Sequence, residues 1–186
     1  MPRKKNYNDN DVIEKATALF WRNGYKNTSM SLLEKTMGIN KFSIYSSFGS
    51  KQGIFLQSLK CYKNKLSPIV LKLKQSPDGM AAIKQFFYDS LSYYSDENCS
   101  KGCLMTNTRN ELSKENNALI LNEIESFVNY QKQLFIEKLI KNGNDLKTAN
   151  KKANYLIIAK QALSVSSKIH SKEEIADFIE MTFESI

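Results

Sequence analysis

Residues 28–51 read TSMSLLEKTMGINKFSIYSSFGSK, and their pattern of polar caps and glycine predicts the local fold. Thr28 and Ser29 supply hydroxyls that can cap the start of a helix, because a side-chain oxygen there accepts a free backbone N–H. Gly38 suits the left-handed residue that ends a helix, and Asn40 can cap another helix that begins directly after it. Two short helices joined by a tight glycine turn form a helix-turn-helix.

A further helix is predicted before this pair. Polar residues at 8–11 can cap it, and Gly24 ends it. Its apolar residues recur at the spacing of one buried helix face, and they are Val12, Ile13, Ala16, Leu19 and Phe20. The start of the second helix stays open, because Ser31 and Glu34 form an alternative capping box two residues later. Three short helices over residues 1–50 form the first predicted domain.

The remainder of the chain, residues 51–186, is predicted to be a larger helical domain. The 186 residues include only seven Gly and three Pro, which leaves little turn chemistry for the many short strands of a sandwich or barrel. The fold class is therefore all-α, with about nine helices. We expect a kink or break at Pro68, a fifth helix that starts at Ser76-Pro77, and a loop over 95–102.

The composition excludes several protein classes. Hydrophobic residues make up 41% and charged residues 25%, as in an ordinary globular chain rather than a disordered or collagen-like one. No apolar run approaches the roughly 18 residues that cross a bilayer, and no apolar signal segment follows the basic start. We therefore expect a soluble, cytoplasmic protein with no membrane partner.

The net charge of +8 is unevenly distributed. Residues 1–75 hold 14 basic and four acidic residues, a net charge of +10, whereas residues 76–186 hold 13 basic and 15 acidic residues, a net charge of −2. Such a basic segment can meet a polyanion such as nucleic acid, or it can simply keep the chain soluble. Charge alone leaves both interpretations open.

Residues at fixed spacings over about 40 positions carry a resemblance to a known family. They are Ala16, Leu19, Phe20, Gly24, Tyr25, Thr28, Ser29, Gly38, Ile39, Lys41, Ile44, Tyr45, Phe48, Ser50, Lys51, Ile54 and Phe55. The segment resembles the DNA-binding domain of the TetR family of bacterial transcriptional regulators. The resemblance implies three short helices followed by a helical body that binds an effector and dimerises.

The third helix, roughly residues 41–47, is the one expected to enter the major groove of double-stranded DNA. The groove-facing set is Lys41, Phe42, Ser43 and Ser46. The resemblance implies that Tyr45 and Lys51 bind phosphate oxygens. The amides at the start of the second helix, at Thr28 and Ser29, can approach another phosphate. Phe42 can either touch a thymine methyl group or pack back into the core.

The resemblance also implies an effector cavity among the fourth to eighth helices. Its candidate walls are Leu66, Ile69, Phe86, Phe87, Tyr93, Tyr94, Met105, Phe127, Tyr130 and Phe135. Ordinary core packing is the alternative for each of them. Few buried charges can be assigned, which favours an apolar or aromatic effector.

The last two helices are the most apolar part of the chain. The run Tyr155-Leu156-Ile157-Ile158-Ala159 is apolar on more than one helix face, so it needs a second surface to cover it. Either it is a central core helix, or it forms a homodimer interface with the last helix. The interface residues we expect are Leu156, Ile157, Leu163, Ile175, Phe178, Ile179 and Phe183.

Cysteine and histidine usage indicates neither a metal nor an enzyme. Cys61, Cys99 and Cys103 form no CxxC pair, and His170 is the sole histidine, so we expect no metal and no cofactor. No glycine-rich phosphate loop or nucleophile elbow is present to build a catalytic site. Cys99 and Cys103 can be a thiol switch or ordinary half-buried thiols.

These observations and the resemblance together predict a dimeric repressor that a small-molecule effector releases from a near-palindromic operator. Two alternatives stay open. One is a co-activator or adaptor of the same fold, and the other is a thiol-responsive regulator that uses Cys99 and Cys103.

Overall fold

The computed structural model describes the backbone of residues 7–96 and 99–186, and their side chains except at 95, 96, 99, 100 and 116. Over these residues the chain forms nine α-helices, which confirms the all-α fold class. One antiparallel pair of two-residue strands, β1 (Ser95–Asp96) and β2 (Cys99–Ser100), lies where a loop was predicted.

The first three helices are the predicted ones. They are α1 (Asp9–Asn23), α2 (Met30–Met37) and α3 (Lys41–Phe48). Side chains of Asn8, Ser29 and Asn40 accept backbone N–H groups at their starts. Gly38 ends α2 at φ 70°, ψ 24°, the left-handed conformation that glycine adopts without strain. Ser29 caps α2, so the alternative start at Ser31 is wrong.

Six further helices follow. They are α4 (Lys51–Gln75), α5 (Met80–Tyr94), α6 (Leu104–Glu111), α7 (Lys114–Lys141), α8 (Leu146–Ser166) and α9 (Lys172–Glu184). Helix α4 continues through Pro68, so the helix is not broken there. The start predicted at Ser76-Pro77 is wrong, because Ser76 Oγ instead accepts the N–H of Asp78 in a turn before α5.

The end of α4 is stabilised by a lysine from another helix. The buried Lys138 ammonium donates to the carbonyl oxygens of Lys74, at 3.1 Å, and Ser76. Carbonyls in the last turn of a helix have no intrahelical partner, so a cation there satisfies them. Burial lowers the pKa of Lys138, and the positive charge of Lys141 lowers it further.

The chain divides into two compact units. The first comprises residues up to 65 together with 108–121, and the second comprises 66–107 and 122–186. In the first unit, Phe20 lies edge-on to the fully buried Phe55, with ring centroids 4.8 Å apart. The second unit has its own core, which α5, α7, α8 and α9 supply together with the end of α4. That DNA binding is confined to residues 1–50 stays a prediction.

Candidate nucleic-acid interface

Helix α3 presents one exposed face. Ile44 anchors the helix and is fully buried, whereas Lys41, Phe42, Tyr45 and Ser46 are exposed. Residues at i, i+1, i+4 and i+5 share one side of a helix, so these four side chains form a single surface. We call them the α3 face.

Phe42 points outward from this face. Its side chain is 81% exposed, so of the two alternatives the structure shows the one in which Phe42 is not packed into the core. Ser43 lies to one side and is half-buried, and its N–H donates to Asn40 Oδ1 at 2.8 Å. The structure therefore does not bring Ser43 onto the α3 face with the other groove residues.

A carboxylate that sequence reasoning missed holds the start of α3. Glu34 Oε1 on α2 accepts the backbone N–H of Lys41 at 2.9 Å. With the Asn40 cap, this bond satisfies two of the free amides at the helix start. The contact fixes α3 against α2 across the glycine turn, and an acid seven positions before a helix start is no recognised capping signal.

The two hydroxyls at the start of α2 have different roles. Ser29 is exposed and its Oγ accepts the N–H of Leu32 at 3.1 Å. Thr28 is fully buried, and its hydroxyl donates to the Gly24 carbonyl at 2.6 Å. Thr28 thus holds the turn between α1 and α2, and Ser29 lies at the surface.

Lys51 is held by the same turn. Its ammonium lies 4.5 Å from the Tyr25 ring centroid and donates to the Lys26 carbonyl at 3.4 Å. Burial lowers the pKa of Lys51, and the nearby Glu111 carboxylate partly opposes that shift. Burial raises the pKa of Tyr25, and Glu111 raises it further. Lys51, the predicted phosphate ligand, therefore packs against the Tyr25 ring within the first unit.

Glu111, at the end of α6, holds the α1–α2 turn. Its two oxygens accept the N–H of Tyr25 at 2.8 Å and the N–H of Lys26 at 2.6 Å. A Cβ on Gly24 would lie 2.9 Å from Glu111 Oε2, and Gly24 has φ 79°, so only glycine fits without strain. Sequence reasoning missed Glu111 because about 85 residues separate it from the turn.

The second unit contains a small cavity of about 20 Å³. Of the ten predicted wall residues, Met105 and Phe127 line it. Leu66, Phe86, Phe87, Tyr94 and Phe135 are buried, Ile69 and Tyr93 are half-buried, and Tyr130 is exposed. The structure therefore does not gather the ten around one pocket. The prediction of few buried charges did not include Lys160, which lines this cavity and is only 8% exposed.

The residues predicted for the dimer interface belong largely to the core of one chain. Leu156, Ile157, Leu163, Ile175 and Ile179 are buried, and Phe178 and Phe183 are half-buried against the same core. The other face of α8 carries the exposed apolar residues Tyr155, Ile158 and Val165, and Ile169 is exposed in the turn after the helix. A helix apolar on two faces does not reveal from its sequence which face turns inward.

Two other kinds of site are absent from the part of the chain that the structure describes. None of its helices combines the length and the hydropathy that a bilayer span requires. No three His, Cys, Asp or Glu side chains of the same residues are grouped as a metal would need.

Comparisons with known proteins agree with this geometry. Residues 12–57 match the family model described as bacterial regulatory proteins, tetR family. YezE of Bacillus subtilis (strain 168), an HTH-type transcriptional regulator, is 28% identical over 109 residues, which are 58% of this chain and 56% of YezE. IcaR of Staphylococcus aureus, the negative transcriptional regulator of the biofilm operon icaADBC, is 29% identical over 103 residues, 55% of each chain.

The chain thus spans about half the length of the curated relatives that it matches. A solved structure of the TetR family regulator CifR, a cysteine mutant in complex with 26-base-pair operator DNA, matches over the whole fold. The TM-score is 0.87 at 19% identity, and the match covers 98% of each chain. Residues 12–57 therefore match the tetR family model, and the chain has the fold of solved TetR family regulators.

Proposed function

We propose that the chain is a homodimeric transcriptional repressor that reads a near-palindromic DNA site with α3 and leaves it when a small molecule binds the second unit. The observation that carries the proposal is the α3 face, on which one cation, one phenol and a fully projecting Phe42 are exposed above a buried Ile44. The +10 charge of residues 1–75 supplies the non-specific attraction to phosphate.

The α3 face has the chemistry of a groove reader. A recognition helix lies in the major groove with its N-terminal residues against base edges, and here these are Lys41 and Phe42. The Tyr45 hydroxyl, one turn later, can donate to a phosphate, a contact that positions the helix without reading sequence. Lys51 would have to leave the Tyr25 ring to bind a phosphate, so we assign it first to holding the α1–α2 turn.

Dimerisation is assigned to the exposed stripe of α8. Tyr155, Ile158 and Val165 follow one another at steps of three and seven residues, which places them along one side of the helix, and the exposed Ile169 lies in the turn just after it. Ile158 is 64% exposed, a large apolar side chain for which the chain itself provides no cover. In a two-fold symmetric dimer the same stripe of a second copy would cover it.

Helix α6 is the element through which an effector would act. It begins at Leu104, directly after the cavity residue Cys103, and it ends at Glu111, which holds the α1–α2 turn. An effector that enlarges the cavity would favour a state in which α6 is displaced and Glu111 moves with it. The effector would shift the equilibrium between the DNA-competent and released states by at most its difference in affinity for the two states.

The operator test starts from selection of bound duplexes from a random DNA library with the full chain. We expect an inverted repeat whose half-sites lie about 34 Å apart, one turn of B-DNA, or a multiple of that spacing. The adaptor alternative predicts that no sequence is enriched over the starting library. Such a result would refute the proposed function.

Release is tested next on the selected duplex. A gel shift with cell-metabolite fractions should identify a small molecule that dissociates the complex. The names of IcaR, a negative transcriptional regulator, and of CifR, solved with operator DNA, support only the DNA-binding and repression part of the proposal. A complex that no fraction dissociates would refute the effector-release part of the proposal.

A further inference from the structure

A buried lysine in the second unit lacks a carboxylate partner. The Lys160 ammonium on α8 donates to the Tyr94 hydroxyl at 3.1 Å, and both residues are buried. Over the residues that the structure describes, no aspartate or glutamate forms an ion pair with Lys160. A buried charge is costly unless an opposite charge compensates it. The described residues thus leave a cation uncompensated inside the second unit.

The side chains around Lys160 are neutral ones. The ammonium lies 5.5 Å from the Phe86 ring centroid and 5.9 Å from that of Tyr94, and an aromatic ring attracts a cation but carries no net charge. Burial raises the pKa of Tyr94, and the Cys103 sulfur raises it further, so the phenol stays protonated. A cysteine thiol is ordinarily neutral at pH 7 as well. None of these three neighbours therefore supplies a full negative charge.

A second buried polar group borders the same space without a partner. Gln131 on α7 is 3% exposed, and its side-chain amide makes no hydrogen bond to any residue that the structure describes. Buried side-chain amides are nearly always hydrogen-bonded, because burial removes their contacts with water. Gln131 and Lys160 both line the cavity of about 20 Å³. Two buried groups with unmet requirements, one for a hydrogen bond and one for a negative charge, thus meet at one cavity.

The cavity walls indicate what kind of molecule satisfies both groups. Met105, Phe127, Val128 and Ile157 supply apolar surface beside them. A space of about 20 Å³ accepts a group about the size of one water molecule. Water satisfies an amide, but it brings no charge for Lys160. A carboxylate oxygen has a similar size, and it accepts hydrogen bonds from both an ammonium and an amide N–H.

We propose that this cavity binds a small carboxylic acid with an apolar body, whose carboxylate lies between the Lys160 ammonium and the Gln131 amide. Burial lowers the pKa of Lys160, and attraction to Cys103 opposes that shift. An acid forms the same ion pair with either form of the lysine. A carboxylate pairs with the ammonium, and a protonated acid passes its proton to the neutral amine. The apolar body agrees with the effector class expected from the sequence, and the buried lysine adds the acid group.

This site names the class of effector for the proposed repressor, and only that regulatory part rests on the proposed function. Met105 and Thr106 in the first turn of α6 line the cavity. An acid whose body exceeds the volume of about 20 Å³ therefore has to part these walls. The expected consequence is displacement of α6 and release of DNA.

The charge requirement is tested by titrating the full-length protein with benzoate and with benzamide at pH 7 in a calorimeter. The two compounds have nearly the same shape, and only benzoate is charged. We expect benzoate to bind about tenfold more tightly, because a hydrogen bond to an ionised partner is roughly twice as strong as one between neutral groups. Equal affinities for the two compounds, or binding of neither, would overturn the proposal.

Two variants test the residues. Lys160→Met removes the charge and should bind benzoate and benzamide equally, and Tyr94 keeps its hydrogen bonds to Ser90 and Cys103 in this variant. Gln131→Leu removes the amide and should weaken benzoate binding about tenfold. Neither variant should lower the Tm of the ligand-free protein, because each removes a polar group that the fold leaves uncompensated. A lower Tm in both would show that these side chains support the fold instead, and it would contradict the proposal.

The matched controls carry the same substitutions at exposed positions of the same helices. Lys151→Met on α8 and Gln133→Leu on α7 should bind benzoate as the wild type does. Weakening by either control equal to that of its buried counterpart would refute the site. Cys103→Ser should keep the preference for benzoate. Tighter benzoate binding in Cys103→Ser would show that a thiolate already compensates Lys160, contrary to the proposal.

A gel shift on the selected duplex separates the carboxylate site from the proposed function. Benzoate should dissociate the wild-type complex and leave the Lys160→Met complex intact. Calorimetric binding of benzoate without dissociation of DNA would refute the regulatory role and leave the site standing. Absence of any DNA binding would refute the proposed function without touching the site.

Discussion

Glu111 provides the sharpest test of how the DNA-reading unit is held together. Its carboxylate accepts two backbone N–H groups of the α1–α2 turn, from Tyr25 at 2.8 Å and Lys26 at 2.6 Å. Glu111→Ala removes both acceptors. A hydrogen bond to a charged group contributes about 1.5–3 kcal/mol, and leaving a buried donor without a partner adds a penalty. Lys26 is exposed, however, and water can replace the lost acceptor there.

We therefore expect Glu111→Ala to destabilise the turn by about 2 kcal/mol. That free energy corresponds to an opening equilibrium about 30-fold larger. Hydrogen–deuterium exchange resolved at the Tyr25 and Lys26 amides measures it, because those amides are protected only while the turn is closed.

The matched control is Glu125→Ala, which removes one exposed carboxylate from α7 and leaves the turn untouched. Exchange at the two amides should match that of the wild type in this variant. Unchanged exchange in Glu111→Ala, or equal acceleration in both variants, would refute the role assigned to Glu111.

Three further predictions follow from single side chains. Replacing a contacted thymine by deoxyuridine should weaken wild-type binding about fourfold, because one methyl group contributes about 0.8 kcal/mol. The Phe42→Ala variant should bind both duplexes equally. Equal wild-type affinities for the two duplexes would argue against a thymine contact. Ile158→Glu should halve the mass measured by analytical ultracentrifugation. The control Leu71→Glu, at another exposed apolar position, should remain a dimer. A dimer that persists in Ile158→Glu would exclude the α8 stripe as the dimer interface. Hydrogen bonds from Lys84 and Tyr88 lower the pKa of Glu180, and the same bond raises the pKa of Tyr88 to about 12. The stability that Glu180 contributes is therefore present above its ordinary pKa of 4.5 and is lost as the pH falls through its lower folded value. On acidification the Tm of Glu180→Gln should fall less than the Tm of the wild type. Parallel curves of Tm against pH would contradict this.

The features that the sequence predicted well are local ones. Ser29 and Asn40 cap helices within three residues, and Gly38 ends one in a conformation that few other residues adopt. Such signals depend on neighbours in the chain, so they can be read without knowing the tertiary structure. The order and number of helices follow from the same kind of pattern.

The features that could not be predicted depend on distant partners. Glu111 meets a turn about 85 positions away, and Lys160 meets Tyr94 across 66 positions. Lysine in a helix is ordinarily solvated, so burial of Lys160 has no signature in the sequence. The apolar stripe of α8 shows the same limit, since Leu156 and Ile158 have similar side chains and only packing determines which of them is buried.

The salt dependence of binding to the selected duplex tests most directly whether α3 is the DNA-reading element. Each phosphate contact that is lost lowers the slope of log affinity against log salt by about 0.9, so Lys41→Ala in both copies of a dimer should lower it by up to about 2 if Lys41 pairs with phosphate. If Lys41 instead reads a base, the variant should lose affinity for the selected duplex but not for a shuffled one. Lys172→Ala, an exposed lysine on α9, is the matched control and should change neither quantity. A wild-type slope and undiminished preference for the selected duplex in Lys41→Ala would contradict the assignment of DNA reading to the α3 face.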